Sequence, residues 1–409
     1  MPGKVSPISE AFDLARHDFI RDPFPVYRRI LAEAPVHWNK SMSGWVVARH
    51  ADVIQCLRDP RLSANRLAPL FEQLPAELRQ RLLPVTRITS HWKVTLDPPD
   101  HTRLRGLTNQ AFSMRETESM RPRIQAMADE LLDAVEGKGQ MDVIQDLSYP
   151  LAARVIAGLL GITVDLDQLK KWSFAISSVF SLTTMTDASL AKVREDFAEM
   201  EAYLRNFIAE RRHEPKDDLL SHLLAVQEQG LLLSEEELVS ECMSLLAAGH
   251  ETTAHTIALA LVALLNHPEQ MQKLRGEPSL IKAAVEEFMR YDSFSQMIGR
   301  LALEDLEIAG ERISAGDVVW LAIGAANRDP AQFPEPDRFD IARQHNWQLS
   351  FGYGIHFCQG ALLARLETAV AVNSLLRRMP ALRLAVPADK LEWYEGNAFR
   401  MMKSLPVVF

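Results

Sequence analysis

The stretch FGYGIHFCQGALLAR, residues 351–365, joins a glycine-rich loop to a helical pattern and carries a cysteine at the junction. Gly352 and Gly354 favour a tight turn, because glycine adopts backbone angles that residues with a Cβ resist. Apolar residues at helical spacing, without proline, predict a helix over residues 361–378. Cys358 therefore lies at or just before a helix N-terminus, where unpaired N–H groups and the helix dipole favour a thiolate.

The cysteine alone is compatible with three roles. A thiolate in such a loop can be a catalytic nucleophile or a metal ligand. Free cysteine is also among the residue types most often buried as inert core residues. Gly360, two residues further on, leaves room for a flat, bulky group against the backbone. The loop by itself does not choose among these roles.

The wider pattern, Phe-Gly-x-Gly-x-His-x-Cys-x-Gly followed by Ala-Arg-x-Glu, resembles the haem-binding signature of the cytochrome P-450 family. The resemblance implies that Cys358 is the axial thiolate ligand of the iron of haem b, an arrangement that favours O–O cleavage. It also implies that His356 contacts a haem propionate. Gln348 stands where many bacterial members have histidine, and we do not count it as a haem contact. Gln359 stands where many have leucine, and neither departure bears on the iron ligand.

Composition excludes several classes of protein. The chain has 409 residues, a net charge of −9 and 47% hydrophobic residues. The negative charge argues against a nucleic-acid-binding protein. Three scattered cysteines are too few for a disulfide framework and favour a reducing cytoplasm. No signal-peptide core is evident and the apolar runs are too short to span a membrane, so we expect a soluble cytoplasmic protein of the bacterial type.

The predicted elements indicate a mainly α fold with a small β region. A hairpin is predicted around residues 39–43 and a helix over residues 51–58. Residues 65–95 lack a sustained period, so we expect a long loop, either a plain surface excursion or, by the resemblance, the roof of the substrate cavity. The resemblance implies one cytochrome P-450 domain over residues 1–409, β-rich at about 30–65. It also implies a triangular prism with haem between the long oxygen-handling helix and the cysteine-ligand helix.

A long helix is predicted from a capping box at residues 234–237 to about residue 265. Its middle, AAGHETTA (residues 247–254), places a glycine, two threonines and a glutamate where a buried helix favours apolar residues. A local rule broken in this way indicates a functional site, although a polar surface face is also compatible. The stretch resembles the oxygen-handling motif of the same family. That resemblance implies that Thr252 positions oxygen and water and that Glu251 relays protons from solvent.

Further cationic residues match haem-contacting positions of the family. His101 and Arg105 are four residues apart on one predicted helix face, which suits a bound carboxylate or a solvated basic face. The resemblance implies that both residues, together with Arg300, hold the haem propionates. His250 and His255 match no ligand role in the family, and we interpret both as structural.

A charge network is predicted from another motif. Glu287 and Arg290, three residues apart on a predicted helix face, are suited to an ion pair and resemble the Glu-x-x-Arg motif of the family. The resemblance implies that Arg338, in the segment FPEPDRF, is their third partner. If all three are buried together, removing one leaves uncompensated charge, so we assign them to folding and haem uptake.

The resemblance also implies a function. It is a monooxygenase that inserts one atom of O2 into a small organic substrate, such as a polyketide, terpene or fatty-acid-type compound, by hydroxylation or epoxidation. The sequence has no flavin or iron–sulfur motif, so a separate ferredoxin or flavodoxin with its NAD(P)H reductase should supply electrons. The candidates for the substrate cavity are Leu245, Ala248, Phe294, Ser295 and Phe399. For Phe294 and Ser295, ordinary packing is an alternative explanation.

Two alternative functions are weighed against this one. An enzyme that uses peroxide, or that isomerises its substrate, is disfavoured by the Glu251–Thr252 pair, because such enzymes need no proton relay of this kind. A non-catalytic haem sensor is the other alternative. The resemblance implies that Arg103, Arg115 and Arg365 lie on segments near the cysteine loop, where we expect a basic docking face for the electron donor.

Overall fold

A computed structural model describes residues 12–179, 186–228 and 234–409, apart from residues 15 and 397. The described residues separate into two compact units. The first unit contains those up to Ser63, with Arg121–Ser148 and Thr253–Phe409, and the second contains those of Ala64–Met120 and Tyr149–Thr252. The single domain expected over residues 1–409 stays a prediction.

Helices form most of both units. Among the described residues, none of them combines the length and the apolar composition needed to cross a bilayer. In chain order the helices are α1 (His17–Arg21), α2 (Phe24–Glu33), α3 (His50–Arg58), α4 (Leu67–Glu72), α5 (Ala76–Thr89), α6 (Asp100–Thr108), α7 (Met114–Ser119), α8 (Arg121–Glu136), α9 (Tyr149–Leu160), α10 (Leu166–Ser178), α11 (Asp187–His213), α12 (Leu219–Glu228), α13 (Glu235–Asn266), α14 (Pro268–Gly276), α15 (Ile281–Tyr291), α16 (Ile323–Ala326) and α17 (Ala361–Arg378).

The strands of the first unit form three small sheets. They are β1 (Val36–Asn39), β2 (Gly44–Val47), β3 (Leu62–Ser63), β4 (Gln140–Asp142), β5 (Ile298–Ala302), β6 (Leu306–Ile308), β7 (Glu311–Ile313), β8 (Val318–Leu321), β9 (Arg383–Leu384) and β10 (Pro406–Val408). The largest sheet has the order β1-β2-β8-β5-β3, and β4-β10-β9 and β6-β7 form the others.

The predicted hairpin is confirmed, and its sheet also takes in strands outside the β-rich part expected at about residues 30–65. Strands β1 and β2 pair antiparallel, with Val36 opposite Val47. However, β8 pairs with β2, and β5 joins β8 to β3. The sheet therefore recruits strands from about 240 residues beyond the segment 30–65, because an isolated hairpin is only marginally stable.

The two helices that frame the expected chemistry form as predicted. Helix α17 covers residues 361–378, and its buried Val372 and Leu376 share a hydrophobic cluster with residues of α15. Helix α13 begins at the predicted capping box. There the N–H of Glu237 donates to Ser234 Oγ at 3.1 Å, and the Ser234 N–H donates to Glu237 Oε2 at 2.7 Å. The helix has 32 residues, about 48 Å at 1.5 Å per residue.

The expected loop over residues 65–95 is wrong, because α4 and α5 occupy most of it. In α5 the buried residues Leu82, Val85 and Ile88 recur every three positions and pack toward α11 in the second unit. Pro84 lies inside this helix, although an interior proline ordinarily costs about 3 kcal/mol. The free energy gained by burying the apolar face exceeds the cost of the proline. In the sequence, this proline had obscured the helical period.

Candidate active site

The cysteine loop lies in the first unit and is closed by its own backbone. Gly352 and Gly354 have φ values of 71° and 75°, in the left-handed region that favours glycine. A Cβ on Gly354 would lie 3.0 Å from the carbonyl oxygen of Leu57. The N–H of Cys358 donates to the carbonyl oxygen of Phe351 at 2.8 Å. The predicted tight turn just before α17 is therefore confirmed.

Cys358 is the exposed cysteine of the chain, whereas Cys56 and Cys242 are buried. Burial raises the pKa of the Cys56 thiol to about 12 and also raises the pKa of Cys242, so both stay protonated. A Cβ on Gly360 would meet no atom within 4 Å. The loop thus presents one sulfur atom beside open space, which fits a flat cofactor ligated through that sulfur.

One glutamine and one arginine, Gln348 and Arg365, share the carboxylate of Glu286. Arg365 lies over the Phe351 ring, with its guanidinium carbon 4.4 Å from the ring centre. Its Nε is 2.5 Å from Glu286 Oε1, and Gln348 Nε2 donates to the same carboxylate at 3.0 Å. The Gln348 amide is therefore engaged with Glu286, in keeping with its exclusion from the haem contacts.

The same carboxylate weakens the expected basic docking face. Arg365 is compensated by Glu286, and in the second unit Arg103 is paired with Asp100 and Glu237. Two of the three arginines expected to attract an acidic donor thus have carboxylate partners. We now expect electrostatic steering at such a face to be weaker than three unpaired arginines would provide.

The charge network around Glu287 forms, but with a different third member. Arg290 donates to both oxygens of Glu287, at 2.7 and 2.8 Å, and both side chains are fully buried. Arg343 Nε lies 3.2 Å from the same two oxygens. Asn346 and the N–H of Asp340 also donate to this carboxylate. The carboxylate is therefore surrounded by donors, as a buried charge requires.

The prediction that Arg338 completes this network is wrong. Its side chain is 57% exposed and pairs with Glu335 and Asp340, which flank it in sequence. Only its backbone takes part, because its carbonyl oxygen accepts from Arg290 and Arg343. The carboxylates of Glu335 and Asp340 hold the Arg338 side chain at the surface.

This difference gives a matched pair of variants. Arg343→Met should lower the free energy of unfolding of the haem-loaded enzyme by about 2–3 kcal/mol, because the buried Glu287 carboxylate loses charge-assisted hydrogen bonds while it keeps those from Arg290. Arg338→Met should change it by only about 0.5 kcal/mol, because its ion pairs are exposed. Urea unfolding and the haem content of the purified proteins measure both effects. Equal losses in the two variants would contradict the assignment.

Two haem-contact candidates lie in the first unit. Arg300, on β5, is 5% exposed, and its Nη1 donates to the Gly299 carbonyl oxygen at 2.9 Å. His356 is half-buried in a 3-10 turn of the cysteine loop, Gly354–His356. Both therefore lie on elements with defined geometry, and their contact with a propionate stays a prediction.

The second unit carries a cationic cluster at the start of α6. His101 is buried, and burial lowers its pKa, with Arg105 and then Lys93 lowering it further while Asp97 opposes them. Lys93 Nζ lies 2.6 Å from Glu241 Oε1. Sequence reasoning missed this buried pair, because its members are far apart in the chain. The Arg105 guanidinium and an N–H of the His101 ring suit a bound carboxylate, whereas Lys93 already has Glu241 as its partner.

Helix α13 presents the candidate oxygen-handling residues in the second unit. Leu245, Ala248 and Thr252 share one face of the helix by their spacing, and Thr252 Oγ1 donates to the Ala248 carbonyl oxygen at 2.8 Å. A Cβ on Gly249 would lie 2.4 Å from Cγ1 of Ile156 in α9. Close packing therefore explains the glycine, a reason the sequence did not reveal.

Glu251 and His250 have different environments. Burial raises the pKa of the Glu251 carboxyl. The pKa of Tyr149 is raised mainly by its own burial and further by the negative charge of Glu251. His250 is fully buried, with ring nitrogens 2.8 Å from Ser173 Oγ and 2.5 Å from the Leu246 carbonyl oxygen. Burial lowers the pKa of His250 to about 4. These contacts support its structural interpretation, whereas Glu251 is suited to proton exchange.

Three of the substrate-cavity candidates meet in the first unit. The rings of Phe294 and Phe399 stack with centres 5.1 Å apart and planes at 20°. Ser295 pairs with Phe399 through an isolated β-bridge. The ring of His255 also stacks on that of Phe294, with the ring centres 6.0 Å apart. The sequence placed these residues on separate segments and did not reveal the stack.

Comparison with known proteins matches this arrangement to one family. The family model described as Cytochrome P450 matches residues 89–382. Cytochrome P450 CYP107DY1 of Priestia megaterium is 41% identical over 376 residues, which cover 89% of each chain. Cytochrome P450 monooxygenase PikC of Streptomyces venezuelae is 39% identical and covers 95% of this chain and 92% of its own. The crystal structure of P450BioI in complex with hexadec-9Z-enoic acid ligated acyl carrier protein superimposes with a TM-score of 0.88 at 38% identity, covering 97% of this chain and 100% of that chain.

These matches confirm the predicted fold, the monooxygenase activity and haem b as the cofactor. The substrate is a small molecule and the oxidant is O2. The exposed sulfur of Cys358 beside open space at Gly360 fits that cofactor. The chain belongs to the cytochrome P450 family of haem-thiolate monooxygenases.

Proposed function

We propose that Cys358 is the axial ligand through which this monooxygenase holds its haem. The observation that carries the proposal is an exposed sulfur three residues ahead of α17, next to the open space at Gly360. Haem bound through a thiolate supplies the iron chemistry that cleaves O2. The other two cysteines, Cys56 and Cys242, are buried thiols and offer no comparable ligand.

Binding of the haem propionates is assigned to basic side chains. Arg300 and His356 from the first unit, and His101 and Arg105 from the second, match the family positions that carry this role. The positive charge of Arg105 beside His101 supports the assignment, because a guanidinium group pairs well with a carboxylate and a neutral imidazole still donates one N–H. The network of Glu287, Arg290 and Arg343 is assigned to folding and haem uptake, because the buried Glu287 carboxylate is paired with two guanidinium groups.

Proton delivery to the bound oxygen is assigned to the pair Glu251 and Thr252. A half-buried carboxyl whose pKa is raised exchanges its proton nearer to neutral pH than an exposed one does. Glu251 is therefore suited to carry protons from solvent. The Thr252 hydroxyl, which now donates to the Ala248 carbonyl oxygen, is suited to turn and hold a water molecule or oxygen on the same helix face. Each role is a proposal that depends on the match to the family motif.

The substrate is proposed to be a lipophilic compound of the polyketide, terpene or fatty-acid type. The stacked aromatic rings of Phe294 and Phe399 support an apolar substrate, and so does the apolar stripe of Leu245 and Ala248 on α13. The fatty-acyl cargo of the P450BioI complex is in keeping with this class. A spin-state titration with a compound library would identify the substrate.

The electron donor is proposed to be a ferredoxin or flavodoxin with its NAD(P)H reductase, in the cytoplasm. The chain has no flavin or iron–sulfur motif, and its three scattered cysteines suit a reducing compartment. We expect substrate-dependent NADH consumption only when both proteins are added. The rate should fall as salt rises, but modestly, because Arg103 and Arg365 are already ion-paired.

The control for this prediction is hydrogen peroxide supplied without NADH or redox proteins. Product formed equally well with peroxide, with no stimulation by the redox proteins, would favour the peroxide-using alternative. A reduction rate that rises with ionic strength would contradict a basic docking face. A haem protein that forms no product under either condition would be a sensor.

A further inference from the structure

A buried ion pair, Asp292–Arg400, lies beside the Phe294–Phe399 stack in the first unit. Arg400 Nε is 2.7 Å from Asp292 Oδ1, and the two side chains are 7% and 11% exposed. We propose that this is a positioning pair that determines substrate specificity, because it fixes the two rings and so the shape that they present. The proposal rests on the proposed function, in which Phe294 and Phe399 face the substrate.

The pair joins the two chain segments that carry the rings. Asp292 precedes Phe294 by two residues, and Arg400 directly follows Phe399. The N–H of Arg400 donates to the Phe294 carbonyl oxygen at 2.8 Å, and Ser295 forms a β-bridge with Phe399. Backbone hydrogen bonds thus set the register of the two segments, and the ion pair ties them together through side chains.

Backbone geometry transmits this anchoring to the ring. Successive side chains of an extended chain point to opposite sides. Arg400 is 7% exposed and Phe399 is 40% exposed, as expected for neighbours on opposite sides of the same segment. Holding Arg400 inward therefore holds Phe399 outward, against Phe294.

Arg400 has further contacts that fix its orientation. Its Nη1 donates to the Ile20 carbonyl oxygen at 2.7 Å, and its Nη2 donates to the Arg21 carbonyl oxygen at 3.3 Å. Its guanidinium carbon lies 4.0 Å from the centre of the Trp393 ring. With Nη1 and Nη2 engaged in this way, the Nε side of the guanidinium faces the Asp292 carboxylate. Asp292→Asn keeps the size of the side chain and removes the charge that holds the segments together.

The test uses two azole probes that bind haem iron through nitrogen, imidazole and the bulky clotrimazole. Spectral titration of the haem-loaded enzyme gives a Kd for each. Phe399→Ala should change the Kd of clotrimazole by about 10-fold, because an apolar wall is removed, and should leave the Kd of imidazole unchanged. Asp292→Asn should change the clotrimazole Kd in the same direction. In the double variant, Asp292→Asn should add nothing to Phe399→Ala, because the pair acts through that ring.

Three outcomes separate the possible failures. If Phe399→Ala changes neither Kd, the ring does not face the cavity, and the substrate-facing assignment in the proposed function fails. If Phe399→Ala changes the clotrimazole Kd but Asp292→Asn does not, or if the two effects add fully, the positioning role is overturned. Arg400→Lys, which keeps the charge and loses the planar fork, provides a second variant if Asp292→Asn does not fold.

A matched control comes from the second unit. Arg211 and Asp218 form an ion pair at 3.0 Å with side chains 6% and 5% exposed, so their burial resembles that of Asp292–Arg400. Asp218→Asn should lower the melting temperature to a similar extent and leave the ratio of the two azole Kd values unchanged. A change in that ratio equal to that of Asp292→Asn would mean that loss of any buried charge explains the effect, and would overturn the proposal.

Discussion

Replacing Cys358 by alanine is expected to abolish the red-shifted carbon monoxide band of the reduced enzyme. The band reports a thiolate ligand to ferrous haem, and Cys358 is the cysteine whose sulfur is exposed beside open space. Cys358→His should bind haem with an unshifted band, because imidazole donates less electron density to iron. The measurement is the difference spectrum of the reduced protein with and without carbon monoxide.

The controls are the two buried cysteines. Cys56→Ser and Cys242→Ala should keep the red-shifted band. Burial keeps both thiols protonated, and a protonated thiol is not the thiolate that ligates haem iron. Cys242→Ala should lower stability slightly, since it leaves a small cavity in a fully buried position. An unchanged band in folded, haem-loaded Cys358→Ala would disprove the assignment of the ligand.

Local chemistry made some elements readable from the sequence. The capping box at Ser234 and Glu237 defined the start of α13, because both of its hydrogen bonds are made between neighbours in sequence. Gly352 and Gly354 adopt the positive φ values that their residue type favours. In these places the interactions that decide the structure are local, so sequence reasoning reaches them.

Long-range pairing accounts for what the sequence did not show. The network around Glu287 takes Arg343 rather than Arg338, and only the folded chain shows which arginine turns inward. The stack of Phe294 on Phe399 joins two distant segments. The helix α5 was obscured by Pro84, whose cost is offset by burial against other helices. Each of these depends on contacts between residues far apart in sequence.

Thr252→Ala is expected to uncouple NADH consumption from product formation. The proposed role of Thr252 begins only after oxygen has bound, so the variant should keep its spectrum and its substrate-induced spin shift. It should continue to consume NADH, while the product formed per NADH falls by about 10-fold and hydrogen peroxide accumulates. The reason is that the hydroxyl no longer directs the second proton, and reduced oxygen is released before the substrate is oxidised.

Glu251→Gln tests the other half of the relay. Glutamine keeps the shape but cannot carry a proton, so turnover should slow by about 100-fold and deuterium oxide should become more inhibitory. Coupling should suffer less than in Thr252→Ala, because the step is slowed rather than misdirected.

Thr253→Ala is the matched control for Thr252→Ala. Thr253 is the adjacent residue of the same type on α13, is 3% exposed, and points about 100° away around the helix. It should keep full coupling, since a buried hydroxyl on another face has no access to the reacting oxygen. Full coupling in Thr252→Ala would show that Thr252 serves only to pack the helix. A substrate that carries its own hydroxyl could take over the proton, so the decisive measurement uses a substrate without one.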